Sequence, residues 1–377
     1  MKIIFAYAFY DKPLGGAEIS TNLLEKELGK NKLKIKILTI GNNSDKKIIG
    51  IPFKFVPKKI LIIGSQLIDK LLSVKATKIL LKEKPNLIHI QDIYILPSII
   101  NAALKLKIPV VVTVRDNLPR LPVFSDNLLY KFLATNMYLY RSKTIKKALL
   151  NANKIIAISK HIRNNLIIFG IPEEKIELIY NLPPDWKYNN NFEDNNIIFS
   201  AGRLKEEKGF HILIKAFYYI SNKYKNYKLI IAGEGPYKKN LLKLIEKLNL
   251  KNNVSLIGKK NYKEMERLFK TASIIAIPSI YPEPLGRVTL EGMTAGKTIV
   301  ASNIGASPEL IENSVNGYLY PPEDFKELSK IICDLIVDRQ KMMKIGKRNR
   351  FITNLKFNKN KIIKQTLNLY GSVIDEK

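Results

Sequence analysis

Residues 197–235 read IIFSAGRLKEEKGFHILIKAFYYISNKYKNYKLIIAGEG. IIFSAG is a short, nearly continuous apolar run ending at a glycine. From Phe210 onward the apolar residues recur at helical spacing, and KLIIAG is a second apolar run. A buried strand, a crossover helix and another buried strand imply a parallel sheet covered on both faces. Toward the C-terminus the alternation continues: a helix from Tyr237, NVSLIG, a helix from Lys263, SIIAIP, a helix from Arg287, and TIVAS. Toward the N-terminus, 181–196 (NLPPDWKYNNNFEDNN) interrupts it with two prolines and a cluster of asparagines, as a linker does.

Upstream of that break the same alternation appears again. KIIFAYAF, KIKILTI, LIHI, PVVVTV and NKIIAIS are strand-like, with helical patterns between them. The expected class is therefore α/β, with two doubly wound parallel-sheet domains facing each other across a cleft. Residues 1–180 form the first, 181–196 the linker and 197–355 the second, and a terminal helical segment covers 356–377. Ligands of such sheets bind beyond the C-terminal ends of the strands, so the residues found there decide the function.

Size and composition agree with this reading. The chain has 377 residues, enough for two domains, and is 46% apolar and 25% charged. One cysteine, Cys333, excludes a disulfide framework and a cysteine zinc site. His89, His161 and His211 lie too far apart for a local metal motif. The formal charge is +30, yet only ten of the 63 basic residues are arginine. Nucleic-acid sites lean on arginine forks, and no RNA-binding signature is present. The charge still favours anionic partners: nucleotides, lipid headgroups or nonspecific nucleic acid. No apolar run reaches the 18 or so residues of a membrane span. The apolar N-terminus lacks a small-residue cleavage site. A cytoplasmic location is expected.

Two strand ends in the second domain stand out. In GRLKEEKG, Gly202 lets the chain turn, and Arg203 and Lys208 stand beside a helix opening near Gly209. That arrangement suits a diphosphate, or it is a solvated loop in a lysine-rich chain. In IPSIYPEPLGRVTLEGM, Glu283 lies in a proline-bounded loop and Glu291 about one turn into the next helix. The amides around Leu285–Val288 would face a bound anion, and Glu291 suits a sugar diol or simply favours the helix dipole. GEGP, from Gly233 to Pro236, is either a phosphate-approach loop or a tight strand-to-helix turn. In the first domain, Gly15 and Gly16 precede a helix opening near Ala17, and glycine there lets the main chain approach a ligand.

Taken together, GGAE, GRLKEEKG, GEGP, EPLGRVTLE and a terminal helix resemble the retaining GT-B glycosyltransferases (family four, glycosyl transferases group 1), in that family's order across almost the whole chain. The resemblance implies two Rossmann-like domains, with the acceptor side in the first, the nucleotide sugar in the second, and the last helix returning to the first. It implies that Arg203 and Lys208 neutralise the donor diphosphate, that Glu283 contacts the donor sugar and that Glu291 holds the ribose. Gly202, Gly233 and the Pro284–Leu285–Gly286 backbone would complete the donor site. Gly15 and Gly16 would admit the phosphate and the acceptor. The expected activity is metal-independent, hexosyltransferase-like transfer with retention, in surface polysaccharide or glycolipid synthesis. No cofactor is expected, and the chain contains no Asp-x-Asp. A synthase or phosphorylase on the same fold, a catalytically silent nucleotide-binding partner and a basic nucleic-acid-binding protein are the competing readings.

Two positions depart from the family. After PVVVTV the family commonly carries a histidine near the reacting sugar, where this chain has Arg115. After LIHI it often carries another, where this chain has Gln91. Arg115 cannot act as a base near neutral pH. It suits sugar hydroxyls, a charged sugar or an anionic acceptor in the catalytic site, or else an ion pair with Asp116 or another acid. From Phe124, FSDNLLYKFLATNMYLYRSKTIKKALL mixes Tyr130, Phe132, Tyr138 and Tyr140 with Arg141, Lys143, Lys146 and Lys147. Such a segment suits an anionic membrane surface or a lipid-linked acceptor, and equally a packed helix with a solvated basic face.

Overall fold

A computed structural model of the chain describes residues 1–8, 15–40, 48–51, 66–118, 128–186 and 195–376. Among them the chain forms two compact units: Met1–Leu182 with Asn360–Lys377, and Pro183–Lys359.

The first unit holds β1 (Lys2–Ala6), β2 (Lys34–Ile40), β3 (Ile48–Ile51), β4 (Leu87–Ile90), β5 (Val110–Val114), β6 (Lys154–Ala157) and β7 (Ile176–Leu178). They lie in the order β3-β2-β1-β4-β5-β6-β7, and every pairing is parallel. All residues of β4 and β5 are buried, as their unbroken apolar runs require of central strands covered on both faces. The helix Gln66–Glu83 buries Leu72, Ala76 and Leu80, one residue per turn along one side. The last helix, Lys359–Asp375, buries Ile362, Leu369 and Tyr370.

The second unit holds β8 (Ile197–Ala201), β9 (Lys228–Ala232), β10 (Val254–Leu256), β11 (Ile274–Ile277), β12 (Thr298–Ser302) and β13 (Tyr318–Tyr320). Their order is β10-β9-β8-β11-β12-β13, again all parallel. The core gathers Phe210, Leu213 and Phe217 from the helix Phe210–Lys223 against Leu229 and Ile231 of β9. Trp186, inside the segment read as a linker, packs against Tyr262 and Phe269 with ring centroids 5.5 and 5.3 Å away.

In both sheets the chain runs outward from the first strand and then reverses to the other side of it. The reversals lie between β1 and β4 and between β8 and β11. Helices on either side of the sheet diverge at such a point and leave a crevice at the strand ends. The two doubly wound sheets are those of the GT-B fold.

Candidate active site

In the second unit the loops after β8, β9, β11 and β12 are built against one another. The amide of Gly202 donates to the carbonyl of Ala232 (3.0 Å), and that of Leu204 to Glu234 (2.9 Å). A Cβ at Gly233 would lie 1.8 Å from the Gly202 carbonyl oxygen, so only glycine lets these two loops touch. Gly209 has φ of +67°, and a Cβ there would lie 1.8 Å from the Pro278 carbonyl oxygen. It ends the short 3-10 turn Glu206–Lys208 and seats that turn on the loop after β11. The amides of Ile280 and Tyr281 then donate to the Glu207 carbonyl, at 3.0 and 3.2 Å.

This seating brings Lys208 to Glu283. Lys208 Nζ lies 2.6 Å from Glu283 Oε1, and the Ser279 hydroxyl donates to the same oxygen at 2.5 Å. Both side chains keep partial exposure, 24% for Lys208 and 15% for Glu283, so a ligand can reach the pair. Arg203 is exposed and has no ion pair among the described residues. Gly305, at φ +64°, supports the loop from the other side: a Cβ there would lie 2.5 Å from the Glu283 nitrogen. The amide of Ala306 donates to the Glu283 carbonyl at 3.0 Å.

Pro284 and the buried Leu285 lead to Gly286, with φ +76°, which opens the helix Arg287–Thr294. No side chain caps this helix. Its first amides therefore lack intrahelical partners and attract an anion. Glu291 lies one turn in and is buried beside Arg287, whose Nε is 2.8 Å from Glu291 Oε1. Burial pushes the Glu291 carboxyl above its ordinary range, and the Arg287 guanidinium opposes that shift.

In the first unit, Gly15 is extended and precedes a helix that opens at Gly16, one residue earlier than the sequence suggests. The C-terminal end of β4 carries Gln91 and Asp92. Asp92 Oδ2 accepts from the Ala8 amide (2.6 Å), and its Oδ1 accepts from those of Tyr94 (2.8 Å) and Ile95 (3.2 Å). Burial raises this carboxyl to about 6, against the lowering effect of those three bonds. Arg115 follows β5 and is buried. Its Nη1 donates to Gln91 Oε1 at 2.5 Å and to the Gln91 carbonyl at 3.2 Å. Among the described residues its side chain hydrogen-bonds no carboxylate, although Asp116 and Asp92 lie near enough to attract it. His89 is fully buried, 2.6 Å from both the Tyr370 hydroxyl and Thr113 Oγ1. Burial, and then the Arg115 charge, hold it well below the usual imidazole range, so it is a neutral tie to the last helix.

One part of the basic segment is corrected. Arg141 is buried, its Nη1 3.2 Å from Asp69 Oδ2, and it bonds the carbonyls of Ile93 and Tyr94. It ties its own helix to the helix Gln66–Glu83 and to the loop after β4, and presents no charge to a surface. Lys143 and Lys147 are exposed. Phe124 and the side chains of Tyr130, Phe132 and Tyr138 lie outside the described residues.

Ser279, Gly305 and Asp92 were not singled out from the sequence. A glycine between β12 and a short helix was a weak local signal for Gly305. Asp92, followed by three residues and then the helix at Leu96, was a recognisable side-chain turn pattern.

Comparison with known proteins accords with the fold. Residues 14–182 match the family described as Glycosyltransferase Family 4, and 184–352 match Glycosyl transferases group 1. An uncharacterized glycosyltransferase of Methanocaldococcus jannaschii, MJ1607, is 30% identical over 58% of this chain and 59% of its own length. The Staphylococcus aureus capsular polysaccharide biosynthesis glycosyltransferase CapM is 25% identical over 61% of this chain and 64% of its own. Among solved structures, Anabaena Alr3699/HepE in complex with UDP-glucose superposes with a TM-score of 0.77 at 24% identity, covering 99% of this chain and 100% of that one. By its two consecutive family matches and its two parallel sheets, the chain belongs with the GT-B glycosyltransferases.

Proposed function

We propose that the chain moves a sugar, with retention at the anomeric carbon, from a nucleoside-diphosphate donor to a glycan or lipid-linked acceptor. The observation that carries this is the group at the reversal point of the second sheet. Arg203, Lys208, Glu283 and the uncapped helix after Gly286 meet at the ends of β8 and β11, with Glu291 one turn further on. Arg203, Lys208 and the helix amides would hold the diphosphate, and Glu291 the ribose. Glu283 would hold the donor sugar. Without a donor, Lys208 and Glu283 neutralise each other. A diphosphate competes for Lys208 and frees the carboxylate toward the sugar.

In the reaction the acceptor oxygen bonds to the anomeric carbon on the face from which the diphosphate leaves. The bond from that carbon to the phosphate oxygen breaks, and the acceptor proton passes to a phosphate oxygen. Negative charge grows on the leaving group, where fixed cations stabilise it most. This reading needs no metal and no cofactor. The first unit, with Gly15, Gly16 and Arg115, would take the acceptor. CapM's name supports a setting in surface polysaccharide synthesis, and glycolipid synthesis is the alternative. We place the chain in the cytoplasm, at the inner face of the membrane. The departure from the family's usual histidine at Arg115 favours a second reading, a silent nucleotide-binding partner.

The UDP-glucose complex of the structural neighbour makes UDP the first nucleotide to test. Thermal shift of the whole chain against UDP, GDP, ADP, CMP and TDP without metal, with Glu291→Gln alongside, tests the donor site. One diphosphate is expected to raise Tm in the wild type and clearly less in the variant. Absence of any response, or equal responses in both proteins, would reject the site. Nucleotide binding without transfer to any acceptor would favour the silent partner.

A further inference from the structure

Among the described residues, Arg115 of the first unit is a buried cation with no carboxylate hydrogen-bonded to it. Arg115 is 8% exposed and Gln91 is fully buried. Removing a guanidinium from water is costly unless a carboxylate or a full set of hydrogen bonds replaces the solvent. Here neither does. The acids and hydroxyls facing it are Asp92, Asp116, Tyr7 and Tyr370. Asp92 accepts from three backbone amides. Asp116 is exposed. Tyr7 bonds Glu18, and Tyr370 bonds His89. Among the described residues Arg115 hydrogen-bonds only Gln91, an uncharged partner, and burial pushes its guanidinium down to about 10, which leaves it charged at neutral pH.

Two donors of this pair remain without partners among the described residues: Arg115 Nε and Gln91 Nε2. The Gln91 side chain holds Nη1, so the opposite edge of the guanidinium is the one left for a ligand. That edge matches two oxygens of one oxyanion. Arg115 also lines a small pocket with Ser20, Thr113, Asn181 and Thr366 at the strand ends of the first sheet. The two positions that depart from the family histidines are thus bonded to each other. They exchange a titratable ring for a permanent cation and the amide that orients it.

We propose that Arg115, oriented by Gln91, recognises an oxyanion on the acceptor, either the carboxylate of an acidic sugar or a phosphate, and that this group supplies the missing counterion. The proposal rests on the reading that the first unit takes the acceptor. It makes Arg115 a specificity-determining residue and Gln91 a positioning residue.

The test uses the whole chain, its wild type, Arg115→Gln, Arg115→Lys and Lys208→Ala, with glucuronate, inorganic phosphate and glucose as probes and UDP as the control for the donor site. Glucuronate, phosphate or both should raise the wild-type Tm by about 3 °C at ten times their Kd, and glucose should not. The response should vanish in Arg115→Gln, weaken in Arg115→Lys and persist in Lys208→Ala. The glucuronate and phosphate arms distinguish the two sources of the oxyanion. An anion response that survives Arg115→Gln, or is lost in Lys208→Ala alone, belongs to the donor site and overturns the proposal, as does no response to either anion. Should Arg115→Gln not fold, Gln91→Ala provides the reading: it keeps the charge and should weaken anion binding about tenfold, whereas unchanged binding would refute the arrangement. UDP binding that fails in every protein, the wild type included, would instead reject the donor reading and leave the anion result standing on its own.

Discussion

Arg203 and Lys208 come from one loop, yet they stand in different states before any ligand arrives. Arg203 is exposed and makes no ion pair among the described residues, so its truncation removes no contact seen there. Lys208 is the cation on Glu283, and its loss leaves that carboxylate with the Ser279 hydroxyl. Both are expected to slow transfer about a hundredfold or more if each stabilises the departing diphosphate. They should differ in stability. Arg203→Ala should keep its Tm within about 1 °C of wild type, as surface substitutions do, and Lys208→Ala should not. Transfer kinetics with the strongest-binding nucleotide's sugar, set beside melting curves, check both. A near-normal rate in Arg203→Ala would remove it from the diphosphate site.

At the scale of elements, the site is a set of loops that glycines allow to touch. Gly305 is the clearest case, because it contacts the Glu283 backbone and takes a left-handed conformation at the same time. Gly305→Ala adds a methyl that must displace the loop and strains its own backbone, a cost of about 1–3 kcal/mol. The expected result is a lower Tm with donor affinity reduced at least tenfold, read by nucleotide titration. Unchanged affinity would show that the Glu283 loop does not depend on this support. The same element shows what could be read from sequence. The EPLG turn, the helix after it and the GRLKEEKG loop carry their signals within a dozen residues, so they were legible. Gly305 acts on a loop more than twenty residues upstream, and Arg141 is buried by Asp69, 72 positions away. Neither partner lies within the window over which periodicity or turn chemistry operates. The edge strands β7 and β13 have three residues each, too few to establish an alternation, and both went unread.

For the whole molecule the dominant physical fact is a formal charge of +30. Among the described residues no helix is long and apolar enough to cross a membrane. Each lysine near an anionic bilayer contributes about 1 kcal/mol, and that attraction fades within a Debye length of about 10 Å at 0.1 M salt. The chain is therefore expected to sediment with vesicles of anionic lipid at low salt, to release above roughly 0.5 M, and to ignore neutral vesicles. Lys143 and Lys147, one turn apart and exposed on the helix Leu128–Leu150, identify the face to test now that Arg141 is excluded from it. A Lys143→Glu, Lys147→Glu double variant should lose about tenfold or more in vesicle affinity if that helix docks, since reversing two charges removes more than two such contributions. Unchanged affinity would assign the binding to lysines spread over the whole surface. Binding to neutral vesicles, or none to anionic ones at low salt, would remove the membrane from the account and leave a soluble glycan as the acceptor.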